Sequence, residues 1–208
     1  MPEMSALAKV FCTSSPYRAL ARWVVLPWAL QGLTLSGLAL EIGTGSGAMA
    51  AEMLRKFPEL RIVATDYDPE MVTSAGRTLA PFGERAIVER VDATALPYPN
   101  DRFDVVLSFA MLHHVIDWEQ AAAEAVRVIG PGGRLVGYDL LHAAPVRHAH
   151  HDDRDSVRMM GPGQLEAELG RLPVTDVRTR RSAGGFAVRF LATKSLANDA
   201  VLDVRHGR

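Results

Sequence analysis

Apolar and polar positions along this chain follow two periods that take turns. The short apolar runs "LALEI", "RIVAT", "AIVERV", "FDVVLSFA" and "RLVGYD" predict five strands. Between them, Ser46 to Phe57, Pro69 to Leu79 and Asp117 to Ile129 predict helices. The second of these has proline at its first position, preceded by Asp68 as cap, and the third is capped by Asp117. "GPGG" (130–133) breaks the chain before the fifth strand. Strands alternating with helices imply an α/β fold: a parallel sheet, covered on both faces, with right-handed crossovers.

Both ends depart from that rhythm. "SSPYRALARWVVLPWAL" predicts a helix with an apolar stripe at Leu20, Trp23, Val24 and Leu30, so residues 1–36 form a helical extension. Residues 142–160 are polar and irregular, and "GPGQLEAELG" is a short helix. "VTDVRTR" and "FAVRFLATK" are two strands joined only by "RSAGG", which predicts an antiparallel hairpin at the sheet's end. The main domain is expected over residues 37–195, with a frayed tail at 196–208.

Composition narrows the classes. A chain of 208 residues suits one domain with a sizeable core. The net charge of -1 offers no general field for nucleic acid or an anionic membrane. Cys12, the one cysteine, cannot form an internal disulfide, which fits a reducing cytoplasm. "ALARWVVLPWAL" is too short for a membrane span, holds Arg22 and is broken by Pro27.

The densest chemistry lies in "LALEIGTGSGAMA". A strand, a glycine-rich turn and a helix start together make a ligand site, because glycines admit close approach to the backbone and the helix start offers free amides. Dinucleotide-binding enzymes use a similar turn, so the turn alone is not specific. Glu41 argues against a pyrophosphate there, since a carboxylate repels phosphate and favours a cation. Asp66 ends the second strand, where an acid can accept the hydroxyls of a ribose. Asp68 already serves as the helix cap, which leaves Asp66 for another role. Asp92, after the third strand, can accept an adenine amino hydrogen or simply close a loop turn.

Together "LEIGTGSG", "ATDYDPEMV", "VDATALPYPNDRFDVVLS", "LHHV" and "RVIGPGGRL" resemble, in order and spacing, the class I S-adenosylmethionine-dependent methyltransferases. The subgroup that the chain most resembles includes ubiquinone-biosynthesis and sugar O-methyltransferases. The resemblance covers about residues 38–192. It implies a Rossmann-like, seven-stranded, mostly parallel sheet whose last strand is antiparallel. It also implies S-adenosylmethionine as cofactor. Glu41, Gly43, Thr44, Gly45 and Gly47 would then face the methionine part, and Asp66 would hold the ribose. Tyr67 would lie against the adenine, Asp92 and Ala93 would read its edge, and Ser108 would complete the cofactor contacts.

Methyl transfer to a hydroxyl also calls for a proton acceptor. His113 and His114 follow the fourth strand and are the candidate bases, with His114 slightly preferred. Asp139, ending the fifth strand, could orient one of these imidazoles. The preferred acceptor is a sugar or another polar hydroxylated metabolite, the alternative a quinone, phenol or lipid. The stretch from His142 to Asp155 holds four of the seven histidines and could close over the acceptor. It could also bind a divalent metal, but its spacing matches no metal motif, so no metal ligands are assigned. Phe11, Tyr17, Trp23 and Trp28 could line the pocket, although for the two tryptophans simple packing is the stronger reading. An exposed apolar face on that helix would also suit a homodimer. The near-neutral charge and "SFAMLHH" after the fourth strand speak against nucleic-acid or protein substrates. The intact glycine strip and both acids speak against a non-catalytic scaffold, and Glu41 and the terminal hairpin against a dehydrogenase.

Overall fold

The computed structural model describes residues 19–142 and 157–196. Seven strands form one sheet in the order β3-β2-β1-β4-β5-β7-β6. They are β1 (Gly37–Ile42), β2 (Leu60–Asp66), β3 (Ala86–Arg90), β4 (Phe103–Phe109), β5 (Ile129–Leu140), β6 (Val174–Arg181) and β7 (Ala187–Lys194). The first five are parallel in their pairings, and β7 runs antiparallel to both β5 and β6. The predicted terminal hairpin therefore inserts its second strand between β5 and β6. The order reverses at β1, so the C-terminal ends of β1 and β4 flank the crevice where such sheets bind ligands.

Helices cover both faces. α1 (Leu26–Leu30) and α2 (Ala48–Lys56) pack on one side, where Leu26, Leu30, Met53 and Leu54 meet Val105 and Leu107 of β4. α4 (Trp118–Val128) and α5 (Gln164–Leu169) cover the other, where Trp118, Val126 and Leu165 meet Phe103, Leu135 and Phe190. α3 (Pro69–Leu79) buries Met71, Ala75 and Leu79, and Asp68 caps it by accepting hydrogen bonds from the amides of Glu70 (2.8 Å) and Met71 (3.4 Å).

Several local expectations need correction. Trp23 is 71% exposed, and Leu20 and Val24 are exposed with it, so of that stripe only Leu30 packs. Residues Ala21–Val25 form a π-helical turn, which rotates the buried face onto Leu26, Ala29 and Leu30. Trp28 does pack, edge-on to Tyr138 at 5.9 Å. Asp117 sits at the start of α4 but its side chain makes no capping bond. "GPGG" does not separate helix from strand: it lies inside β5, where the register with β4 shifts between Phe103 and Val105. Phe11, Tyr17 and 143–156, which includes most of the histidine-rich stretch, lie outside the described residues. Among the described residues no helix is long and apolar enough to cross a membrane.

Candidate active site

The three glycines after β1 answer to three different demands. All adopt the left-handed conformation, with φ of 68° at Gly43, 56° at Gly45 and 76° at Gly47. A Cβ on Gly43 would stand 1.9 Å from Cγ of Met111, so this glycine makes room for the segment after β4. A Cβ on Gly47 would press on the backbone of Ala75 at 3.1 Å, so this one lets α2 and α3 close up. Gly45 alone faces open space, with nothing within 4 Å of such a Cβ. It is the place where something outside the chain can approach the backbone.

The polar groups around this turn are held from several directions. Glu41 is 1% exposed. Its Oε2 accepts a 2.5 Å hydrogen bond from the Thr44 hydroxyl, and its backbone carbonyl accepts one from Thr65 Oγ1. Burial pushes the Glu41 carboxyl up to about 8, the Thr44 bond offsets part of this, and Asp66 adds repulsion. A buried carboxylate with this history gains most from a cation brought beside it. Asp66 accepts from the amides of Gly45 (2.8 Å) and Asp68 (3.0 Å), and it too is raised, again chiefly by burial. It thereby ties the glycine turn to the end of β2.

The predicted adenine-side residues are near one another in the sheet's β2–β3 corner. Tyr67 is half-buried, and the Arg90 guanidinium lies 5.3 Å over its ring while Arg90 Nε donates to the Tyr67 carbonyl at 2.9 Å. Asp92 closes a turn, accepting from Thr94 N (2.8 Å) and Oγ1 (2.7 Å), and Ala93 is buried beside it. Partial burial would raise the Asp92 carboxyl, but the Thr94 bonds outweigh it and leave it below its ordinary range. Ser108, 1% exposed at the end of β4, has an Oγ with no hydrogen-bond partner. This orphaned hydroxyl lies on the strand beside Ile42.

On the other flank, the chain leaves β4 through Ala110, a non-glycine residue at φ 51°, whose amide donates to the Tyr138 carbonyl. A 3₁₀ turn, Leu112–His114, follows. Asp139 is fully buried and accepts from His113 Nδ1 at 2.5 Å, from the Leu112 amide at 2.7 Å and from the Leu140 amide at 2.6 Å. The acid thus pairs with His113, which is 1% exposed, and not with His114. His114 is half-buried, its ring 4.1 Å from that of His113. Arg158 closes over this turn: its amide donates to the His113 carbonyl and its guanidinium grips Glu119.

Residues 40–137 match the family model described as a methyltransferase domain. Over these residues, just under half of its length, the chain is similar to methyltransferase domains, and its fold is that of the class I enzymes. Domains of this class depend on S-adenosylmethionine, and the site fits that group: a buried carboxylate for a cationic ligand, an open approach at Gly45 and an unmatched hydroxyl at Ser108. Relatives of the methyltransferase domain include a demethylmenaquinone methyltransferase of Thermus thermophilus, 35% identical over 47% of this chain and 44% of the relative. Another is a 27-O-demethylrifamycin SV methyltransferase of Amycolatopsis mediterranei, 33% identical over 60% of this chain and 46% of the relative. The chain thus spans less than half the length of these relatives. The fold is that of a solved carbon methyltransferase, CurJ (TM-score 0.70, 17% identity, 90% of this chain and 57% of that one). It is shared by a putative sarcosine dimethylglycine methyltransferase from Galdieria sulphuraria (TM-score 0.69, 15% identity, 85% and 86%).

Sequence reasoning missed Met111, Thr65 and Arg90. Each acts on the methyltransferase site through a neighbouring strand, so only strand order and register could have found it. Among the described residues no group of three or more His, Cys, Asp or Glu could hold a metal ion.

Proposed function

We propose that the protein transfers a methyl group from S-adenosylmethionine to a small aromatic acceptor of quinone or phenol type, at carbon or oxygen. The observation that carries this is the row of aromatic side chains on the face that holds Glu41. Phe109 ends β4 and Tyr138 lies two residues before the end of β5, their buried rings 6.0 Å apart, and the half-buried Trp28 lies edge-on to Tyr138. Such a wall suits a flat ring better than a sugar. The demethylmenaquinone and ubiquinone/menaquinone methyltransferases among the relatives favour the same acceptor class over the sugar preferred on sequence grounds.

When bound, S-adenosylmethionine supplies a methyl group on a cationic sulfur, open to in-line attack. Glu41 and the turn around Gly45 would hold its amino-acid end, and Asp66, Tyr67 and Asp92 its nucleoside. Holding both reactants in line supplies much of the rate. The acceptor must also lose a proton, whether the new bond forms at oxygen or at the ring carbon of a phenol. His114, the more exposed of the two imidazoles, takes that proton. His113, locked to Asp139, holds the 3₁₀ turn that presents it.

The test follows the methyl group. Methyl-labelled S-adenosylmethionine is incubated with the protein and, separately, with hydroquinones and phenols, sugars, lipids, RNA and protein. Label in the phenolic fraction is expected, and His114→Asn should cut turnover at least tenfold while leaving S-adenosylhomocysteine binding intact. Label in sugars, RNA or protein would overturn the acceptor class, and unchanged turnover in His114→Asn across the pH range would remove it as base.

A further inference from the structure

The aromatic row ends in two arginines that no carboxylate among the described residues neutralises. Arg189 of β7 stands opposite Tyr138 of β5 on one side and opposite Arg180 of β6 on the other. Residues directly opposed across a sheet share a face, so Phe109, Tyr138, Arg189 and Arg180 form one continuous row. β7 runs antiparallel, which brings its first residues to the end of the sheet where β4 and β5 finish. The row therefore starts beside the cofactor turn and runs out to the edge.

Like charges directly opposed in a sheet repel. Burial, then Arg180, holds the Arg189 guanidinium below its ordinary range. Arg189 Nη1 donates to the Trp28 carbonyl at 2.8 Å and its guanidinium lies 5.8 Å over the Trp28 ring, but its Nε is shielded without an acceptor. Among the described residues neither Arg180 nor Arg189 has a carboxylate partner, whereas Arg127, Arg158 and Arg178 each pair with one. An unneutralised arginine pair at the end of an aromatic wall is an arrangement that an anion relieves.

Resting on the methyl-transfer reading above, we propose that Arg180 and Arg189 form the anion subsite of the acceptor pocket, and that the acceptor is an aromatic ring bearing a carboxylate. Two strand spacings separate β4 from β7, about 10 Å, which matches the span of a one- or two-ring aromatic acid. Arg189 also anchors α1 through Trp28. Arg180 takes no part in that bond, so it separates anion binding from anchoring.

The probes are 2-naphthoate and its uncharged methyl ester, titrated into the full chain with S-adenosylhomocysteine present. The carboxylate should bind at least tenfold more tightly than the ester. Arg180→Gln should shrink that preference about fivefold, with S-adenosylhomocysteine affinity read in parallel as a check on folding. Equal binding of the two probes, binding of neither, or a preference untouched by both Arg180→Gln and Arg189→Lys would overturn the subsite. If the wild-type chain bound naphthoate but no S-adenosylhomocysteine, the methyl-transfer reading would fall instead, and the subsite as an acceptor site with it.

Discussion

Around β1 and β2 the candidate site is assembled from one stretch, Glu41 to Asp68, whereas around β4, β5 and β7 the proposed acceptor side draws on Trp28, Phe109, His113, Tyr138, Asp139 and Arg189. In the first region the polar groups answer one another locally: Thr44 to Glu41, Gly45 to Asp66. In the second, the contacts cross between separate units, from His113 with Asp139, 26 residues apart, to Arg189 with the Trp28 carbonyl, 161 apart. A local site can be carried intact from protein to protein. A site made of distant residues changes whenever one strand or helix does, which suits the part that selects the acceptor.

The largest effect expected to sharpen this contrast comes from Glu41. Its folded-state carboxyl lies near 8, above the ordinary value of 4.5. The folded protein therefore holds this proton more tightly than the unfolded chain does. Its contribution is fully present below about 4.5 and is lost as pH rises toward about 8, a change on the order of 5 kcal/mol. Thermal melts of the ligand-free protein from pH 5 to pH 8 should show a fall in Tm that Glu41→Gln flattens; parallel curves would contradict the buried acid.

On the acceptor side, Asp139→Ala strands His113 and two amides in a dry interior. A loss of about 3 kcal/mol is expected by urea denaturation. A loss under about 1 kcal/mol would mean that the pair is not the clamp described. Within the turn, Gly43→Ala and Gly45→Ala should part company. Both force alanine into the left-handed region, but only the first also meets Met111. About 2–4 kcal/mol is expected for Gly43→Ala and about 1–2 for Gly45→Ala. Cofactor affinity should fall more than the stability loss explains only at Gly45. Equal effects at the two glycines would erase the distinction between packing and ligand approach. The smallest effect is Asp68→Ala, which removes the α3 cap for about 1 kcal/mol in the same assay.

What the sequence revealed follows the same division. The strands, α3 with its Asp68 cap and the terminal hairpin were legible because each rests on local period or turn chemistry. Glu41, Asp66 and the glycine strip were legible as a group because they share one strand–turn–helix unit. Trp23 misled, because a helical stripe assumes a regular α-helix and the π-helical turn breaks that geometry. The partner of Asp139 was not legible either: His113 and His114 are adjacent, and only the direction in which the 3₁₀ turn leaves β4 decides which ring faces β5. Arg189 carried no local signal at all, since its meaning comes from Tyr138, Arg180 and Trp28 beside it.

The most direct test of the central claim is calorimetric titration of S-adenosylmethionine near pH 7, in two buffers of different ionisation heat, into the wild-type chain and Glu41→Gln. A cationic ligand seated beside Glu41 should draw off the proton that burial retains. The account predicts saturable binding with a proton released in the wild type and none released from that position in Glu41→Gln. Absence of binding, or the same proton release in both proteins, would contradict it.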